Sequence, residues 1–226
     1  MKRRLLAPGL VTLATLAGCK AGTATTASLV AESLGTSPVV LPCEYLTAFY
    51  AHDEATETMF FLTDVPADEL LSGTVTRGSV VHLDLLWSPK PGSTPMDSSA
   101  TNVSIRFVVF ADGEVGVYGG AGFALPDGKA GEATLGLELR DASLTLLDST
   151  EGFVDLLSPA RLTGQLTARL NEKRTQQMRF VVSQLVTNAL GYSHFVRGGP
   201  NQDLEMLISR SRPSWSETST SPPRGR

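Results

Sequence analysis

The chain has 226 residues, 42% of them hydrophobic, which is enough apolar material for one sizeable core and hardly for two independent ones. Lys and Arg number 19 against 23 Asp and Glu, and no cluster of basic residues alternates with aromatic ones, so the chain lacks the field that draws in a polyanion. Nucleic acid is therefore not an expected partner.

The N-terminus opens with Lys2, Arg3 and Arg4, followed by an apolar stretch from Leu5 to Leu16 and then small residues. A basic start before a short apolar run is the layout of an export signal. A membrane-crossing helix needs about twenty apolar residues, whereas this run is shorter and is interrupted by Pro8, Gly9, Thr12 and Thr15.

Immediately after it, Leu16-Ala17-Gly18-Cys19 matches, position by position, a leucine, two small residues and a cysteine. The match resembles the lipobox of bacterial lipoproteins. The resemblance implies a signal peptide over residues 1–18, cleavage between Gly18 and Cys19, and a diacylglyceryl group on the Cys19 sulfur. It also implies that the membrane is a partner, with the domain held on the extracytoplasmic side of a bacterial cell envelope. Lys20 follows the cysteine where Asp would favour retention, which by the same resemblance points to the periplasmic face of the outer membrane in a Gram-negative cell. Two or more acyl chains make such an anchor effectively permanent, since each buried CH₂ contributes about 0.8 kcal/mol. Removal of residues 1–18 takes away three basic residues and no acid, leaving 16 against 23 and a net charge of −7.

Residues 19–38 are mostly Ala, Thr, Ser and Gly, with a small apolar group at Leu29, Val30 and Leu34. Their composition predicts a flexible tether. A single β-rich domain is expected over 39–208 and a disordered Ser/Thr/Pro/Arg tail over 209–226. Cys43 is the one cysteine besides Cys19, so no internal disulfide is expected. Its apolar neighbours Val39 to Pro42 predict a buried, inert thiol.

Within the domain the dominant signal is period-two alternation. Val81, Leu83, Leu85 and Trp87 interleave with His82 and Asp84; Val103, Ile105, Phe107 and Val109 interleave with Ser104 and Arg106. The second run meets Asp112-Gly113, a pair suited to the two positive-φ positions of a type I′ turn, and predicts a hairpin returning through Val115 to Tyr118. Further strands are expected at Tyr45 to Ala51, Thr58 to Thr63, Leu135 to Leu139, Leu144 to Leu146 and Leu162 to Leu170. These make about seven or eight strands, an antiparallel β-sandwich or meander with no helix before position 170. The glycines from Gly113 to Gly122 precede Phe123-Ala124-Leu125-Pro126 rather than a helix, so they read as turn and bulge residues and not as a phosphate cradle.

One helix is expected over 172–190, because Met178, Val181, Val182, Leu185, Val186, Ala189 and Leu190 repeat with helical spacing. Asn171 is placed to cap its start and Gly191 to end it, and its apolar stripe is expected to dock on the sheet.

The chain has no Gly-x-Ser-x-Gly, His-Glu-x-x-His, phosphate-loop or EF-hand pattern. No cofactor or metal is expected; a structural zinc site would have no thiolates to use. The sharpest polar pair is His82 and Asp84, which share a strand face and would be the catalytic residues of a lipid-anchored hydrolase if joined by His52, Asp53 or Glu54. Alternation alone places the pair on a solvated face. His194, after the helix, reads as a surface or capping residue. Asn102-Val103-Ser104 matches a glycosylation acceptor, a match with little meaning in a bacterial cell. The expectation is thus a membrane-anchored lipoprotein whose domain is a non-catalytic binding or structural module of the envelope. Its partner would be an envelope protein or an apolar ligand, recognised at strand edges or near Trp87. The alternatives are the hydrolase and a carrier of apolar molecules; the carrier would need an enclosed apolar cavity between sheet and helix.

Overall fold

The computed structural model describes residues 27–53, 57–89 and 100–195. Residues 1–18, Cys19, Glu54 and the tail at 209–226 lie outside the described residues.

Nine strands and two helices follow one another: β1 Ala27–Ser33, β2 Val40–Tyr45, β3 Thr47–Asp53, β4 Glu57–Thr63, α1 Ala67–Ser72, β5 Arg77–Leu85, β6 Val103–Ala111, β7 Glu114–Asp127, β8 Thr134–Ser149, β9 Ala160–Leu170 and α2 Glu172–Leu190. The fold is mainly β with a C-terminal helix on the sheet, and of the two expected layouts it takes the meander. The meander closes on itself. β9 pairs along one edge with β8, and its other edge is shared by β1, antiparallel, and by β3, parallel, at Phe49↔Arg169 and Tyr50↔Leu170. Between β2 and β3 lies Leu46, 85% exposed. This outward kink lets one bent strand serve β1 with its first half and β4 with its second. The nine strands therefore form a closed barrel of eight walls, a size whose interior is just wide enough for side chains to fill. Tyr45, Tyr50, Phe60, Phe107, Tyr118, Leu83 and Ile105 are among the buried residues that fill it.

The tether expected over 19–38 is overturned from Ala27 onward, because Ala27–Ser33 is a strand with alternating burial. Ala27, Leu29 and Ala31 point inward and Ser28 and Glu32 outward. The segment is poor in large side chains because its neighbours supply the bulk, and it is held by main-chain pairing to β2 and β9 along both edges.

Other boundaries also differ. The leucines of 135–139 and 144–146 belong to one strand, β8, whose register slips between Leu139 and Ala142, with Asp141 at φ +46°. Strand β7 continues through the glycines to Asp127. At Gly120 an added Cβ would lie 1.6 Å from the Ser143 carbonyl oxygen, so only glycine lets β7 run this close to β8. The hairpin turn forms as its sequence requires, with Asp112 at φ +54° and Gly113 at φ +92°.

Helix α2 spans 172–190. The Asn171 side chain accepts a hydrogen bond from the Arg174 amide at 3.0 Å, and the Asn171 amide donates to the Tyr50 carbonyl at 2.9 Å, tying the helix start to the barrel. Met178, Val182 and Val186 cover Phe61, Val80, Val108 and Val117 on the outer face of β4 to β7. Those strands are thus buried on both faces. Helix α1, unexpected from the sequence, is a short turn between β4 and β5 that buries Leu70 in the same cluster. The connections β1–β2, β4–β5, β6–β7 and β8–β9 form one rim of the barrel, called upper below; β3–β4, β5–β6, β7–β8 and the exit from β9 form the lower rim.

Candidate functional site

Register places the polar candidates on the outer face of the roofed wall. Phe61, His82, Arg106 and Gly119 face one another across β4, β5, β6 and β7, and Met59, Asp84, Ser104 and Ala121 form the next row. His82 and Asp84 do come together, Nδ1 to Oδ2 at 3.5 Å. The solvated face expected for them is corrected for His82, which is 3% exposed. The physical reason is the roof: the Phe195 ring lies edge-on to the imidazole, with centroids 5.8 Å apart.

His52 does not join them. Its row runs His52, Thr58, Leu85, Val103, and Leu85 and Val103 point into the barrel, so the sheet itself separates His52 from the outer pair. The His52 Nδ1 sits 3.0 Å from the Thr58 hydroxyl. Asp53 is exposed at the lower end of β3, opposite Glu57. Among the described residues, no three His, Cys, Asp or Glu side chains are grouped so as to hold a metal ion.

A second His–Asp pair lies nearby and had no sequence signal, since its members are 46 positions apart. His194 Nε2 is 3.2 Å from Asp148 Oδ2, with the Tyr192 ring tilted against the imidazole at 4.8 Å. The Tyr192 hydroxyl, then His194 and the Ser149 amide, hold Asp148 below the usual carboxylate range against the opposing effect of partial burial. Arg106 links the strands to this segment by donating from Nε to the His194 carbonyl at 3.3 Å, and Arg179 donates to the Phe195 carbonyl at 2.8 Å. Residues 191–195 are thereby clamped over the outer face. His194 is a clamp residue rather than a free surface one.

At the upper rim, the edge of β2 meets the start of β5 through side chains. The Tyr45 and Ser79 hydroxyls are 3.2 Å apart, and Asp64 accepts from the Ser79 amide at 2.6 Å and from its hydroxyl at 3.2 Å. Cys43 is buried beside this seam, and burial pushes its thiol above the ordinary range, away from the thiolate a nucleophile needs.

Asn102 is fully buried: its amide nitrogen donates to the Trp87 carbonyl at 3.2 Å and the Ala124 carbonyl at 2.8 Å, while its oxygen accepts from the Ala124 amide at 2.7 Å. In the folded chain this is a structural clip with no room for a glycan.

Exposed apolar side chains lie at both rims and also elsewhere, at Leu46 in the bend between β2 and β3, at Leu147 on β8 and at Phe180 on α2. Leu34, Val40, Val154 and Leu156 stand on the upper rim, Leu86 and Trp87 on the lower. The wall of β1, β9, β8 and β7 carries an open groove of about 440 Å³ with a mixed lining, Ser28, Asp127, Glu138 and Gln165 beside Leu125 and Pro126. No family model, no curated protein and no solved structure matches the chain.

Proposed function

We propose that the chain is a bacterial lipoprotein, acylated at Cys19, whose barrel is a non-catalytic binding or structural module on the extracytoplasmic side of the cell envelope. In a Gram-negative cell it stands on the periplasmic face of the outer membrane. The anchor rests on the lipobox Leu16-Ala17-Gly18-Cys19 and the basic and apolar segments before it.

The observation that carries the non-catalytic reading is the burial of His82. General acid–base work requires a side chain within hydrogen-bond reach of substrate, and His82 is covered by Phe195. The hydrolase reading has one feature in its favour, the two His–Asp pairs on either side of Arg106, and it would require residues 191–195 to lift away. For a carrier of apolar molecules, both the barrel interior and the space under α2 are occupied by the chain's own side chains. The best-suited docking surface is the upper rim, where Leu34 and Val40 are exposed and where, among the described residues, the part of β2 above the Tyr45–Ser79 contact pairs only with β1. An extended segment of another envelope protein fits such an edge.

The anchor is tested by labelling cells with a fatty-acid probe. The native chain takes up label and the Cys19→Ala variant does not; equal labelling of both would overturn the proposal.

A further inference from the structure

We infer that the lower rim of the barrel is turned to the lipid bilayer, with Leu86 and Trp87 seated in its interfacial layer; this rests on acylation at Cys19. The first support is reach. Seven residues, 20–26, lie between Cys19 and Ala27, and however they run they span at most about 25 Å. Strand β1 runs from Ala27 toward the upper rim, so Ala27 is its lower end. Ala27 lies beside Leu166, four residues short of the end of β9 at Leu170, or about 13 Å at the rise of a strand. What remains, about 12 Å, keeps the lower rim within about two headgroup layers of the anchor. To set the upper rim on the lipid, the same seven residues would have to double back along the whole of β1, roughly 20 Å, and then pass its hairpin.

The second support is what that rim presents. Trp87 is 41% exposed and Leu86 46%, yet neither is on a loose loop. The Leu86 amide donates to the Asn102 carbonyl at 2.8 Å, Asn102 in turn donates to the Trp87 carbonyl, and the indole packs edge-on against Phe123 at 6.3 Å. A tryptophan held at the rim by these contacts and still 41% exposed suits the membrane–water interface, which accepts an apolar ring and a polar N–H together. The exposed residues of the upper rim, such as Val154 and Leu156, are aliphatic and stand beyond the tether's easy reach.

The test uses the acylated full chain in phosphatidylcholine vesicles containing brominated phosphatidylcholine. In a Trp215→Phe variant the only remaining tryptophan is Trp87, and its emission is expected to fall roughly twofold or more, as for an indole at the interface. A second chain carrying Trp87→Phe, Leu156→Trp and Trp215→Phe moves the reporter to the upper rim, where emission is expected to be unchanged. Unquenched Trp87 in protein whose Cys19 acylation is verified by mass would overturn the inference and leave the lipoprotein reading standing. Quenching of the upper-rim reporter to the same extent would also overturn it. An unacylated Cys19 would overturn both readings together.

Discussion

The barrel has two kinds of wall. On β4 to β7 both faces are buried, the inner by the barrel filling and the outer by α2 and residues 191–195; on β1, β9 and β8 the inner face is apolar and the outer carries Ser28, Glu32, Arg161, Gln165 and Arg169. The bare wall alternates along β1 and β9, and along β8 except where its register slips between Leu139 and Ala142. On the roofed wall alternation fails locally: Val80, Val81, His82 and Leu83 are consecutive and all buried. A polar residue in such a run lies under the roof, which is why His82 is enclosed and Gln165, on the other wall, is wet.

Several substitutions sharpen that contrast. The largest effect is expected inside the barrel, which both walls share. Phe107 is fully buried against Tyr118, and Phe107→Ala should lower stability by about 3–5 kcal/mol, read by urea unfolding with both walls melting together. Met178→Ala strikes the roof alone and should cost about 2–4 kcal/mol. Hydrogen exchange should then rise first over 171–195 while β8 and β9 stay protected, and His82 should become reactive to an imidazole-modifying reagent. If β8 and β9 lost protection equally, the roof would not be a separate layer.

Asn171→Ala removes the cap and should cost about 1 kcal/mol, measured as a drop in the thermal midpoint. Asp148→Asn should cost less than about 1 kcal/mol, because the pair is partly solvated. Its sign follows from the lowered pKa of Asp148 in the fold. The carboxylate's contribution is fully present above its unfolded value of 3.8 and is lost as pH falls through the lower folded value. Native and variant stabilities should therefore differ at neutral pH and converge in acid. Gln165→Ala on the bare wall should change stability by no more than about 0.5 kcal/mol; a larger loss would break the distinction between the walls.

The same contrast explains what could be read from the chain. Helix α2, its cap at Asn171 and its end at Gly191 were legible because all their determinants lie within twenty or so neighbouring residues. The Asp112-Gly113 hairpin was legible for the same reason. Strand β1 was not, since it is made by pairing to β9 more than a hundred residues later and contributes mainly small side chains. Nor was the enclosure of His82, which depends on Phe195. The doublet Val80-Val81 and the unbroken run Met59 to Leu62 did carry a trace of the roof, because a strand with one wet face would not be apolar at every position.

That the barrel works from a lipid anchor is tested most directly by the intact mass of the native protein extracted from membranes. The expected product is a chain lacking residues 1–18 with a diacylglyceryl group on Cys19. A chain that retains Met1, or one that begins at another residue with Cys19 unmodified, would contradict it.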